Sequence, residues 1–143
     1  MLRYRSQVVV DRPRDVAFPY IVEPAKQALW SDVPMRLLTE GPLATGSRME
    51  LSFGKGPMTV RLGLELTAVE DGRRMAWTTF SGPIRWDGEY RLEDAPEGRT
   101  TVSQEGSFEF RGLWRLLEPL LGAEMRKGEE KELQRLKAVI EAA

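Results

Sequence analysis

Apolar and polar residues alternate with a period of two along most of the chain up to Phe110, a pattern typical of half-buried β-strands. Between Met58 and Val69, for example, every second residue from Met58 to Leu66 is apolar. Turn dipeptides such as Asp71-Gly72 separate neighbouring stretches by only a few positions. Because such short connections join antiparallel strands, the pattern predicts an antiparallel meander from the second strand onward. The predicted strands are Leu2–Val10, Pro34–Thr39, Arg48–Phe53, Met58–Val69, Arg74–Phe80, Ile84–Leu92 and Thr100–Phe110.

Two segments depart from this alternation and predict helices. After the first strand, Asp11-Arg12-Pro13 is a helix-start signal, and Pro19 is expected to end or kink the helix that follows. A second short helix is predicted at about Pro24–Trp30. After residue 111, apolar residues recur at helical spacing, which predicts one long helix from about Gly112 to Glu141. A helix with so much apolar surface must lie against the inner face of the sheet.

Composition narrows the possible chemistry. The chain has 143 residues, no cysteine and no histidine, so we expect one domain over residues 1–143 without disulfides, thiolate nucleophiles or Ser-His-Asp catalysis. We also expect no metal and no cofactor. With 21 basic and 22 acidic residues the net charge is −1, whereas nucleic-acid binders usually carry a basic excess. We find no apolar run long enough to span a membrane and no signal-like start, so we expect a cytoplasmic protein without integral membrane association.

Several short sequence segments, taken in their order along the chain, resemble a known superfamily. Val8–Val16 is similar to the first strand and helix start of START-like proteins, also called SRPBCC or polyketide cyclase/dehydrase-like proteins. Pro24–Trp30 resembles their second short helix, Gly88–Leu92 with Gly98–Val102 their penultimate hairpin, and Glu132–Lys137 their closing helix. The resemblance covers essentially the whole chain.

This resemblance implies an α+β helix-grip fold, in which a curved antiparallel sheet of about seven strands wraps around the long C-terminal helix. Two short helices follow the first strand, and a cavity remains between sheet and helix. Members bind lipids, sterols, polyketides or other apolar molecules, and a minority are cyclases or hydrolase-like enzymes.

The inner face of the predicted sheet mixes large aromatic residues with small or polar ones such as Ser6, Gly88 and Gly106. Buried polar groups need partners, and a cavity that holds a ligand or water supplies them. Tyr90 and Gln104 are the expected polar groups that orient a ligand. The alternative is that the aromatic residues form an ordinary packed core. The predicted ligand-binding residues are Phe53, Trp77, Trp86, Tyr90, Gln104 and Phe108 on the sheet, with Trp114 and Met125 on the helix.

The C-terminal helix carries acidic and basic residues in close alternation. We expect these side chains to form ion pairs on the helix surface rather than to bind a metal. The acidic residues are Glu124, Glu129, Glu130 and Glu132, and the basic residues between them are Arg126, Lys127, Lys131 and Arg135. No inner-facing carboxylate with an obvious partner is expected, although the inward stripe includes Met125, Gly128 and either Glu129 or Glu132. Gly122 and Gly128 indicate close backbone approach or space left for another group; the alternative is that they are tolerated on a solvated stretch.

Three functions remain open at this stage. The first is binding or carrying of a small hydrophobic or amphipathic ligand in the cavity. The second is a polyketide cyclase or dehydratase that uses the same cavity without a metal, histidine or cysteine. The third is a protein-interaction module with a filled core and an exposed apolar patch.

Overall fold

The computed structural model of the protein describes residues 1–54 and 56–143. Lys55, part of the predicted turn at Gly54–Pro57, lies outside the described residues. The strands are β1 (Leu2–Val10), β2 (Met35–Leu37), β3 (Arg48–Phe53), β4 (Val60–Glu70), β5 (Arg74–Ser81), β6 (Ile84–Ala95) and β7 (Arg99–Phe110). The α-helices are α1 (Arg14–Ala17), α2 (Pro19–Val22), α3 (Pro24–Gln27) and α4 (Glu118–Ala142), and short 3₁₀ helices occupy Gly56–Met58, Pro96–Gly98 and Gly112–Leu117.

The seven strands form one antiparallel sheet in the order β1-β7-β6-β5-β4-β3-β2. Strands β2 to β7 pair with their neighbours in the chain, and β1 closes the other edge by pairing with β7, with Val8 opposite Val102. This arrangement confirms the predicted meander and the expected α+β helix-grip architecture. The alternation is confirmed as well, because Val60, Leu62, Leu64 and Leu66 are buried along β4.

The helices after β1 differ from the prediction because of proline. Pro19 has no amide hydrogen and a fixed φ, so it does not continue α1 but begins a separate helix, α2. Pro24 begins α3 in the same way. The segment therefore contains three single-turn helices, where the sequence predicted two.

The predicted long helix from Gly112 is also divided. Residues Gly112–Leu117 form a 3₁₀ helix, and α4 begins at Glu118 with Pro119 in its first turn. The first turn of a helix is where proline is tolerated, because the amides there have no partner within the helix. Met58 likewise lies in a 3₁₀ helix before β4 rather than in the strand itself.

The long helix packs mainly on β1 and to a smaller extent on β7, at the β1 edge of the sheet. Its buried residues Leu133, Leu136 and Ile140 join a core cluster with residues of β1 and β7 such as Val10 and Val102. A second cluster of buried residues consists of Tyr4, Val60, Leu62, Ile84, Phe108 and Phe110. No helix formed by residues 1–54 and 56–143 combines the length and apolarity needed to cross a membrane.

Candidate functional site

A cavity of about 300 Å³ lies between the inner face of the sheet, α3 with the loop that follows it, and α4. This volume is at the lower end of the range usual for small-molecule pockets. The sheet contributes residues from five neighbouring strands, β2 to β6: Met35 and Leu37, Met49 and Leu51, Leu64 and Leu66, Met75 and Trp77, Trp86 and Tyr90. The backbone of α4 lies closest to β1 and β7, whereas the cavity lies over the strands beyond them, between β6 and β2.

Four aromatic side chains form a continuous group along the cavity wall. The ring centroids are 6.0 Å apart for Trp30 and Tyr90, 5.4 Å for Tyr90 and Trp77, and 5.2 Å for Trp77 and Trp86. Two of the indoles are fixed by hydrogen bonds. The Trp30 Nε1 donates to the carbonyl oxygen of Tyr20 at 2.8 Å, and the Trp86 Nε1 donates to the hydroxyl of Tyr4 at 2.9 Å. These contacts hold the wall in one arrangement before any ligand binds.

Three of the eight predicted ligand-binding residues line this cavity, namely Trp77, Trp86 and Tyr90. Four others lie in or against the second core cluster, and none of them is among the lining residues: Phe53, Phe108, Trp114 and Met125. Phe108, for example, is stacked between Tyr4 at 5.2 Å and Trp86 at 5.4 Å and has no accessible surface. These four residues therefore pack the interior beside the cavity.

The eighth residue, Gln104, is buried under α4 and does not line the cavity. Its Nε2 donates two hydrogen bonds, to the Ser6 hydroxyl at 3.0 Å and to the backbone carbonyl oxygen of Glu129 at 2.9 Å. Both amide hydrogens are thus used within the protein. Gln104 joins β1, β7 and α4 at the point where the helix passes the cavity.

Glu129 and Glu132 contradict the expectation that the acidic residues of the helix all pair on its surface. Both line the cavity, and none of the ion pairs among the described residues includes either of them. Glu124 and Glu130 do lie in solvent. The sequence carried a signal for this result, because Glu129 is four residues after Met125 and four before the buried Leu133, on the same helical face.

Burial changes the protonation of these carboxyl groups. Removal from water, together with the neighbouring charge of Glu132, raises the pKa of Glu129 to about 8. Burial also raises the pKa of Glu132, and the hydroxyl of Ser31, whose Oγ lies 3.3 Å from Oε1, partly opposes this shift. Glu129 is therefore largely protonated at neutral pH and can exchange its proton there.

Tyr90 presents a neutral phenol to the same cavity. Burial, followed by the charges of Glu129 and Glu132, raises the pKa of its hydroxyl well above the usual value. Beside it, the Nε1 of Trp77 is buried without a hydrogen-bond partner among residues 1–54 and 56–143. The polar side chains among the described lining residues are thus three carboxyls, from Asp32, Glu129 and Glu132, with the Tyr90 phenol, the Ser31 hydroxyl and the Gln27 amide, in an otherwise largely apolar wall.

The two glycines of α4 have different surroundings. A Cβ on Gly122 would lie 3.0 Å from the Leu2 Cδ2, so this glycine allows close approach of β1. A Cβ on Gly128 would meet nothing within 4 Å. Gly122 therefore fits close backbone approach, whereas no close neighbour explains Gly128.

The interaction-module alternative required a filled core together with an exposed apolar patch. Leu113, Leu116 and Leu120 are 85%, 80% and 68% exposed and lie at helical spacing at the start of the C-terminal helical segment. The cavity of about 300 Å³ lies beside the two packed core clusters. In the part of the chain that is described, no three potential ligands lie close enough to hold a metal ion.

Comparison with known proteins agrees with this architecture. The family model described as polyketide cyclase / dehydrase and lipid transport matches residues 1–141. No curated protein sequence matches the chain at a significant level.

Solved structures with the same fold share little sequence with the chain. TTHA0849 from Thermus thermophilus is 16% identical with a TM-score of 0.79, over 99% of this chain and 98% of that one. The ZhuI aromatase/cyclase from Streptomyces sp. R1128 is 14% identical with a TM-score of 0.79, over 98% of this chain and 93% of that one. The di-domain aromatase/cyclase BexL from the BE-7585A biosynthetic pathway is 14% identical with a TM-score of 0.75, and this chain covers 47% of its length.

The match of the family model over residues 1–141, together with the sheet order and the long C-terminal helix, shows that the chain belongs to the polyketide cyclase/dehydrase and lipid transport family, within the START-like superfamily.

Proposed function

We propose that the protein binds a small, largely apolar molecule in the cavity between the sheet and α4. The observation that carries this proposal is the cavity itself: about 300 Å³, walled by a fixed group of aromatic and aliphatic side chains, with a few polar groups at one side. An apolar molecule gains roughly 25 cal/mol for each Å² of apolar surface that it buries. The carboxyls and the Tyr90 hydroxyl then orient the molecule.

A substitution at the cavity wall tests this proposal. Val33 lines the cavity and is half-buried, so the indole of Val33→Trp has room to enter the cavity without displacing the core. The matched control is Val9→Trp, at a partly exposed position of β1 away from the cavity. We expect the wild-type protein and Val9→Trp to bind 1-naphthylmethanol in calorimetric titrations, and Val33→Trp to bind at least about tenfold more weakly.

Mass spectra of solvent extracts from the three natively purified proteins provide a second measurement. Molecules that copurify with the wild type and with Val9→Trp, and are depleted in Val33→Trp, support the proposal. If no protein binds the probe and no extract contains a ligand, the binding function is wrong.

Glu129 favours a second candidate function, catalysis of an aldol-type cyclisation with loss of water. A carboxyl with a pKa of about 8 can accept a proton from an acidic carbon or donate one to a carbonyl oxygen near neutral pH. The neutral Tyr90 phenol can donate a hydrogen bond to the same oxygen. In such a reaction a carbon loses a proton and attacks a second carbonyl, whose oxygen takes up a proton to become a hydroxyl group. The attacking carbon then loses a second proton, and the hydroxyl group leaves with a proton as water, which forms a carbon–carbon double bond. The aromatase/cyclase activity named for ZhuI and BexL also supports this candidate.

Turnover of a short poly-β-keto thioester, followed by liquid chromatography and mass spectrometry, tests the catalytic candidate. We expect cyclised product from the wild type and from Glu130→Gln, whose carboxyl lies in solvent. Glu129→Gln is expected to lose at least about a hundredfold in rate, the usual contribution of a proton-transferring group. Equal rates for Glu129→Gln and the wild type would contradict the catalytic role.

A further inference from the structure

We propose that the molecule bound in this cavity carries a positively charged nitrogen, such as an ammonium group, attached to an apolar or aromatic body. This inference rests on the proposed binding function and names the chemical class of the ligand.

The charged residues that line the cavity are all acidic. Asp32, Glu129 and Glu132 contribute carboxyls, and no lysine or arginine is among the described lining residues. Asp32 lies at the exposed rim and pairs with Arg135, with an N–O distance of 2.7 Å. Glu132 accepts a hydrogen bond from Ser31. Asp32 is therefore balanced by Arg135 and Glu132 is hydrogen-bonded, whereas the carboxyl of Glu129 has no partner among the described residues and is held largely in its neutral form.

Glu129 is the group without a countercharge. It forms none of the ion pairs found among residues 1–54 and 56–143, and its backbone carbonyl, not its carboxyl, is held by Gln104. An ionised carboxyl in apolar surroundings is costly unless a charge of opposite sign lies beside it. A ligand cation supplies that charge, whereas an anionic ligand meets the added repulsion of Glu132. The absence of a three-ligand metal cluster in the described residues favours an organic cation over a metal ion.

The aromatic wall suits the same class of ligand. Trp77, Trp86 and Tyr90 border the cavity as one contacting group, and Trp30 extends it toward the rim. Indole and phenol rings attract cations through their quadrupoles, and groups of such rings recognise ammonium ions. Tyr90 also lies within the electrostatic influence of Glu129 and Glu132, so the rings and the carboxyls belong to one site.

Three naphthalene probes of similar size test the inference by calorimetric titration at pH 7: 1-naphthylmethylamine, 1-naphthylmethanol and 1-naphthoate. We expect the amine to bind the full-length protein about tenfold more tightly than the alcohol, with the carboxylate weakest. In Glu129→Gln the ratio of amine to alcohol affinity is expected to fall about tenfold. In Glu130→Gln, which removes a neighbouring charge from the solvent side of the helix, the ratio stays as in the wild type.

Proton release provides a readout that a simple packing change would not alter. Binding of the ammonium favours ionised Glu129, so the proton is expelled and amine affinity rises as the pH increases from 6 to 8, by up to about tenfold per unit. The titratable groups around this carboxyl are Glu132 on the same helix, Tyr90 on β6 and Tyr4 on β1, while Asp32 and Arg135 face Glu132. The chain contains no histidine that would titrate in this range.

The outcomes separate the two proposals. If the alcohol binds at least as tightly as the amine, or if the ratio is unchanged in Glu129→Gln, the cationic class is wrong and the binding function stands. Amine affinity that is constant between pH 6 and 8 also overturns the cationic class. If none of the three probes binds, the binding function itself fails.

Discussion

The side-chain nitrogen of Gln104 on β7 donates a hydrogen bond to the backbone carbonyl oxygen of Glu129 on α4, at 2.9 Å. The residue that fixes the helix to the sheet is thus bonded to the residue whose carboxyl borders the cavity. The same nitrogen also donates to Ser6 on β1, so one buried amide connects three elements. This connection acts at the level of Glu129, while other hydrogen bonds, such as those from Arg126 to Arg3 and from Lys137 to Val9, join the helix to β1 elsewhere.

Replacement of Gln104 by methionine tests this connection. Methionine has a similar length but donates no hydrogen bonds, so Gln104→Met loses both bonds while the buried volume is nearly preserved. We expect the free energy of unfolding in urea to fall by about 1–2 kcal/mol, because a typical hydrogen bond contributes about 1 kcal/mol and the unpartnered Oε1 is removed as well. Ser6→Ala removes only the acceptor of the Gln104–Ser6 hydrogen bond, so the free energy of unfolding should fall by less than in Gln104→Met. Equal losses in the two variants would show that the bond to Glu129 contributes nothing.

The protonation of Glu129 predicts a specific dependence of stability on pH. Its pKa is about 8 in the folded protein and near 4.5 when exposed, so the folded state binds this proton more tightly. The resulting stabilisation is complete below pH 4.5 and is lost as the pH rises toward 8. Between pH 4.5 and 8, the free energy of unfolding of the wild type, relative to Glu129→Gln, which cannot ionise, should fall by up to about 1.4 kcal/mol per pH unit.

Urea unfolding at pH 5, 6, 7 and 8, followed by tryptophan fluorescence, measures this difference. Glu130→Gln is the matched control, because its carboxyl lies in solvent on the same helix. Parallel stability profiles for Glu129→Gln and the wild type would contradict the burial of the Glu129 carboxyl.

The two glycines of α4 are expected to respond differently to alanine. Gly128→Ala adds a methyl group where nothing lies within 4 Å and should raise the free energy of unfolding by about 0.5–1 kcal/mol, the usual gain within a helix. Gly122→Ala places its methyl group 3.0 Å from the Leu2 side chain, so the gain should be smaller or negative. Urea denaturation of both variants measures the difference, and a larger gain at Gly122 would be inconsistent with the close approach of β1.

Much of the fold could be predicted from the sequence because side-chain alternation follows directly from strand geometry. All seven strands and the meander were predicted in this way. The errors lie where proline or glycine changes the local backbone. The first helix ends before Pro19 as predicted, but Pro19 then begins a separate helix, and the segment from Gly112 forms a 3₁₀ helix before α4 begins. Periodicity alone does not distinguish these forms over a single turn.

The site was less predictable because alternation identifies the face of a strand and not what covers that face. Trp77 and Phe108 both point to the inner side of the sheet, yet Trp77 borders the cavity while Phe108 is packed between other rings. The difference arises from the placement of α4 over β1 and β7, which is a tertiary property. The helical spacing places Glu129 or Glu132 on the inward face, but surface pairing is predicted for both because alternating charges usually indicate a solvated helix face.

Binding of a small molecule among the tryptophans of the cavity is observable in the indole N–H signals of a ¹H–¹⁵N correlation spectrum. The chain has 4 tryptophans: Trp30, Trp77 and Trp86 line the cavity, while Trp114 packs against the second core cluster. On titration with 1-naphthylmethanol we expect the three cavity signals to shift together and saturate, while the Trp114 signal stays in place. A spectrum in which no cavity indole moves, or in which only Trp114 moves, would contradict the account.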